Sequence, residues 1–119
     1  MKLNELIAIL TKLNDDYGPH MLVAQGFCKP HSYRGNYADL AFKPQANVTL
    51  GEMLLTCLAS LGKTFEGYKG GSFTMDGTVN VYIASWMCEG TAIRGVITRH
   101  EVKDGVVIHS IEIETTWDC

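Results

Sequence analysis

Two stretches hold most of the residues able to do chemistry in this 119-residue chain. The first, KPHSYRGNYADLAF at 29–42, offers Lys29, His31, Ser32, Tyr33, Arg34, Tyr37 and Asp39. The second, around GYKGG, offers Lys63, Thr64, Tyr68, Lys69, Gly70, Gly71 and Ser72. Arg34 has a planar fork that suits phosphate, and Lys69 a compact positive charge. Backbone N–H groups at Gly70 and Gly71 can approach an anion closely because no side chain intervenes. Tyr33, Tyr37, Phe65 and Tyr68 have ring faces on which a base can stack. His31 and Ser32 add hydrogen-bonding groups. These types describe a site for a phosphorylated or nucleotide-like ligand, with His31, Ser32, Tyr33, Arg34, Tyr37, Tyr68, Lys69, Gly70 and Gly71 as its candidate residues. The plainer alternative makes GYKGG a tight turn and Arg34 a solvated or salt-bridged loop residue. Neither G-x-x-x-x-G-K-[ST] nor G-x-G-x-x-G occurs.

Other chemistries are weaker. His31, Ser32 and Asp39 include the residue types of a hydrolytic triad, but no G-x-S-x-G elbow positions the serine. Glu112 and Glu114 share one face of a predicted strand, where solvated carboxylates are the ordinary outcome. His100, Glu101 and His109 sit on strands predicted to pair. A metal needs three or more converging ligands, and the sequence fixes only two. Cys28 becomes a reactive thiol only if a cation or a helix N-terminus lowers its pKa. We therefore assign no catalytic residue, no metal and no cofactor, and lean towards a non-enzyme.

The elements that must hold these residues are legible in part. LNELIAILTKL places Leu3, Leu6, Ile7, Leu10 and Leu13 on one helical face, with Asn4 as a cap and Gly18-Pro19 as a stop. HMLVAQGF predicts a short buried strand. A long aromatic-rich connection then runs to about Asn47, and loops of that length are usually functional or disordered. Thr49-x-x-Glu52 is a capping box. It opens a helix with a stripe of Leu50, Met53, Leu54, Cys57, Leu58 and Leu61, stopped by Gly62. After the glycine-rich segment, TVNVYIASW, TAIRGVITRHEV and GVVIHSIEIETTW predict three strands. Asp104-Gly105 joins the last two as a tight hairpin. The order predicts an α+β fold, with a mostly antiparallel sheet and two main helices packed on it. The two site segments flank the second helix, about 13 residues and roughly 20 Å long. They meet only if the chain folds back along that helix, or across a subunit interface.

Composition bounds the rest. The length predicts a single domain over 1–119, and 46% hydrophobic with 19% charged residues is ordinary for a globular core. A net charge of −3 argues against broad nucleic-acid binding, but not against one anion in a local basic pocket. Cys28, Cys57, Cys88 and Cys119 show no C-x-x-C or finger spacing. We expect free thiols in a reducing cytoplasm, with no secretory signal and no membrane span. Trp86 and Trp117 read as core or interface residues, and sheet edges are commonly resolved by symmetric pairing, so a homo-oligomer is expected.

The blocks PHSYRGNYADLAF, NVTLGEML and GYKGG resemble a group of small, mostly uncharacterised bacteriophage and prophage proteins. The resemblance spans roughly residues 26–75, and the helix-then-strand opening is similar to other short phage proteins. It implies no catalytic residues. It does imply action by binding inside the host cytoplasm, as an anti-defence sponge for a cyclic nucleotide or ADP-ribose-like signal. The alternatives are a phage inhibitor of a host protein and a small nucleotide-processing enzyme.

Overall fold

The computed structural model describes residues 1–32, 39–66, 72–84 and 91–117; for Ser32, Glu66, Ser72, Phe73 and Trp117 only the backbone is described. Its elements run α1 (Leu3–Tyr17), β1 (Leu22–Ser32), β2 (Asp39–Thr49), α2 (Leu50–Ser60), β3 (Thr64–Glu66), β4 (Ser72–Thr74), β5 (Asn80–Ile83), β6 (Thr91–Lys103) and β7 (Val106–Trp117). A five-stranded sheet has the order β1-β2-β5-β6-β7, and β3 and β4 form a separate two-stranded sheet. All pairings are antiparallel except β2 with β5, which the α2 crossover makes parallel. The class is α+β.

Two helix caps follow from local chemistry. In α2 the Thr49 hydroxyl accepts from the Glu52 N–H at 3.1 Å, and the Glu52 carboxylate accepts from the Thr49 N–H at 3.1 Å. At α1 the helix starts earlier than the sequence suggests. Lys2 takes the cap position and donates its N–H to Glu5 Oε1 at 3.0 Å, while the Asn4 N–H goes to the Gly77 carbonyl.

The strand expected at HMLVAQGF is the first part of β1, and the long connection expected after it up to Asn47 instead holds the end of β1 and nearly all of β2, two 11-residue strands of one hairpin. Its prolines hid it. Pro30 falls at a register shift, next to Lys29 with φ 45°, so a bulge absorbs the residue that cannot donate. Pro44 pairs with Phe27, but β5 reaches only Asp39–Phe42, so among the described residues nothing pairs with the far side of β2 there.

The core lies between the helices and one face of the sheet. Leu3, Leu6 and Leu10 of α1 meet Val23, Phe27, Leu40, Phe42, Val81 and Ile93. Phe27 and Phe42 stack with centroids 4.3 Å apart. α2 contributes Leu50, Met53 and Cys57, whereas Leu58 and Leu61, read as part of its apolar stripe, are exposed together with Leu55. Gly26 makes the close approach of α2 possible: a Cβ there would fall 2.7 Å from Met53 Sδ and closer still to Val48 Cγ1.

The outer strands β1 and β7 also lie against each other, so the sheet curls. Ile111 and Ile113 reach the core, but from Arg99 to Ser110 the β6–β7 hairpin is exposed throughout. Its turn, Asp104 at φ 52° and Gly105 at φ 78°, has the positive dihedrals expected of a two-residue hairpin. Among the described residues no helix is long and apolar enough to cross a membrane.

Candidate functional site

Of the nine candidate residues, His31 and the backbone of Ser32 lie within the described structure. Tyr33, Arg34, Tyr37, Tyr68, Lys69, Gly70 and Gly71 lie outside the described residues, as do Trp86, Cys88 and Cys119. What the fold determines is where the ends of the two segments are anchored.

β1 ends at Ser32 and β2 begins at Asp39, so residues 33–38 join the strands of one hairpin. Likewise β3 and β4 bracket residues 67–71, with Thr64 opposite Thr74 and their hydroxyls 3.0 Å apart. A run of contacts links the two roots. Asn80 Nδ2 donates to Asp39 Oδ1 at 3.4 Å, and Asn80 bridges Lys2. Leu3 N–H donates to Val79 O, Asn4 N–H to Gly77 O, and Met75 N–H to Lys63 O, each at 2.9 Å. Met75 and Asn80 are five residues apart, at most about 18 Å of extended chain. β3 also packs against β1. β2 runs away from this end and α2 runs back towards it, but 11 helical residues, roughly 16 Å, retrace only about half of an 11-residue strand.

His31 stands opposite Ala41, and Ala41 is in register with Tyr82. Directly opposed residues share a sheet face, so His31, Ala41 and Tyr82 form a row on the face away from the helices. The backbones of His31 and Tyr82 are two strand spacings apart, about 10 Å. Ala41 and Ala84 are buried beneath Tyr82 in a small second cluster. Burial of the half-buried His31 ring pulls its pKa below the usual histidine value, and a hydrogen bond to the Lys29 backbone partly opposes this. Sequence reasoning missed Tyr82 as a neighbour of this site. Its alternation opposite Val79 and Val81 was visible, but the parallel pairing that carries it to His31 is non-local.

A cleft of about 640 Å³ opens elsewhere, between the curled edges of the sheet, lined by Gln25, Pro44, Ile83, Thr91, Glu112 and Thr115 among others. Its carboxylate is already engaged, since Arg99 Nε donates to Glu112 Oε2 at 2.5 Å. Glu114 pairs with Arg94 at 3.6 Å. Glu112 and Glu114 are thus ion-paired, largely exposed residues. Of the candidate residues that are described, His31 does not line this cleft.

Both described cysteines are free thiols. Cys28 Sγ donates to Gln45 Oε1 at 3.5 Å, and burial pushes the Cys57 thiol up to about 12. The buried Cys57 lacks the exposed, electropositive setting of a reactive cysteine, whereas Cys28 stands opposite Lys43 in the ladder. Compared with protein-family models, with curated proteins and with solved structures, the chain matches none.

Proposed function

We propose that this chain is a non-enzymatic phage protein that binds and sequesters a nucleotide-type signal, cyclic or ADP-ribose-like, in the host cytoplasm. Arg34 and Lys69 hold phosphate, Tyr33, Tyr37 and Tyr68 line the base and ribose, and His31 and Ser32 donate or accept hydrogen bonds. Gly70 and Gly71 let the backbone approach the anion. The observation carrying this reading is the shared root. The segments with the cations and aromatics are separate in sequence, yet Asp39–Asn80, Asn4–Gly77 and Lys63–Met75 tie their ends to one end of the fold. The half-buried His31, in one row with Tyr82, adds polar and aromatic groups beside that root. A homo-oligomer, expected from the sequence, is part of the proposal.

Calorimetric titration with cyclic di- and trinucleotides and cyclic ADP-ribose isomers tests it, followed by chromatography of the released ligand. Micromolar or tighter binding with unaltered ligand supports sequestration. Nothing tighter than millimolar across the panel overturns it, and a converted ligand identifies an enzyme instead.

A second reading, inhibition of a host protein, rests on the apolar side chains exposed on the β6–β7 hairpin: Val102, Val106, Val107 and Ile108, at 71, 61, 53 and 44% exposure. Exposed apolar patches mark association surfaces. A stoichiometric host partner recovered from lysate, lost on Val102→Ser with Val107→Ser, favours it over sequestration.

A further inference from the structure

The exposed β6–β7 hairpin carries one cluster that the proposed function does not use. His100 and His109 are opposite each other in the ladder. Their Nδ1 atoms lie 2.6 Å apart, with ring centroids 4.6 Å apart and planes at 87°. One nitrogen must be an acceptor for this contact, so a lone pair and an N–H occupy the space between two imidazoles. The rings lie on the same strand face as Ile111, just beyond the core, and both are exposed.

A second, independent feature favours positive charge here. Tyr17, the last residue of α1, packs on the His109 ring with centroids 5.7 Å apart and planes at 50°. The C-terminus of a helix is its negative pole, and a cation there is stabilised. In α1 the last turn contains Asp15 and Asp16 and no basic residue. Acidic residues at that pole are unfavourable, and nothing on the helix itself offsets them.

We propose that His100 and His109 form a two-imidazole site for a borderline divalent transition cation, of the Cu(II), Ni(II) or Zn(II) class. Binding replaces the shared proton with the metal, each Nδ1 donating its lone pair. Two imidazoles fall short of the three or more protein ligands of a resident zinc site; no third His, Cys, Asp or Glu joins them among the described residues, so water fills the remaining positions and the bound cation is exchangeable. Geometry ranks the metals. With metal–nitrogen bonds of about 2.0–2.1 Å, cis square-planar ligands stand about 2.9 Å apart, whereas tetrahedral ligands stand about 3.3 Å apart. From 2.6 Å, the square-planar site needs the smaller opening. Cu(II) is thus favoured over Zn(II) by the opening as well as by its intrinsic affinity for imidazole. Bound metal staples β6 to β7 beside the end of α1.

The test is titration of the full chain with Cu(II), Ni(II) and Zn(II), with the copper complex followed by electron paramagnetic resonance. The chain's four cysteines can also bind these metals, so the His100→Ala, His109→Ala and double variants set the background. The expected result is one tetragonal Cu(II) per chain, with nitrogen coupling from two imidazoles. Affinity should fall in the order Cu(II), Ni(II), Zn(II). Either single variant should weaken it by about tenfold or more, the lower bound seen even when a residue merely supporting a ligand is removed. Asp15→Asn with Asp16→Asn should weaken it less, and leave the spectrum unchanged. If the double histidine variant binds copper with unchanged stoichiometry, affinity and spectrum, the proposal is overturned. Zn(II) binding more tightly than Cu(II) at the histidines would overturn the geometry on which it rests.

Discussion

Gly26→Ala tests how β1 is held against α2. The added methyl would sit 2.7 Å from Met53 Sδ and closer to Val48 Cγ1, where ordinary carbon contacts need about 3.5–4.0 Å. Neither neighbour has room, since Met53 is fully buried and Val48 is 5% exposed. The helix cannot readily retreat either. Thr49 and Glu52 fix its first turn, and the Gly51 N–H donates to Pro19 O at 3.0 Å. Overpacking of this kind costs about 1–3 kcal/mol, so we expect about 2. Val48→Ala removes two carbons, about 1.6 kcal/mol of transfer free energy, and about 2 with the cavity included. In the double variant the methyl added at position 26 occupies space vacated by Val48 Cγ1. The two changes should therefore cost about 2 kcal/mol together and not about 4, a coupling of about 1–2 kcal/mol. Urea unfolding measures this as midpoint shifts at constant slope. A double variant as unstable as the sum of the singles, within about 0.5 kcal/mol, would refute the packing described.

Other outcomes follow from the same structure. Thr49→Ala removes one half of the α2 capping box and should cost about 1 kcal/mol by urea unfolding. His31 has a lowered pKa in the folded state, so the unfolded chain takes up the proton first as pH falls. Its contribution to stability is present above the unfolded pKa of about 6.5 and is lost below it, down to the folded pKa. His31→Gln should accordingly flatten the stability–pH curve just below neutrality, read by thermal unfolding at a series of pH values. In the native protein, maleimide labelling mapped by mass spectrometry should modify the half-buried Cys28 well before Cys57. Burial keeps the Cys57 thiol protonated, and it should label only when urea unfolds the chain.

The features readable from sequence were the local ones. Thr49 and Glu52 announce α2 because a capping box is complete within four residues. Asp104-Gly105 announces the last hairpin, and that turn fixes the register that sets His100 opposite His109. The end of β1 and all of β2 were obscured because Lys29-Pro30 is a bulge and Pro44 lies beyond the reach of β5, so proline did not mark a loop. Leu58 and Leu61 continue the helical period of Leu50 and Met53 but face solvent, since periodicity shows which side is apolar and not how much of it is covered. The curl that brings β7 to β1, the row from His31 to Tyr82, and the common root of the two site segments all depend on contacts across the chain. No local spacing encodes them. For the site itself, the sequence supplied the residue types and the pairing of the two segments, and the fold shows where the ends of each are anchored.

The central claim is that those segments serve one ligand. Its most direct test is calorimetric titration of wild type, Arg34→Ala and Lys69→Ala with the tightest-binding nucleotide of the panel. Each substitution removes a charge-assisted phosphate contact, worth about 1.5–3 kcal/mol, so each should weaken binding by roughly 10- to 150-fold. Stoichiometry should not change. If either variant binds as tightly as wild type, the two segments do not share that ligand, and the claim fails.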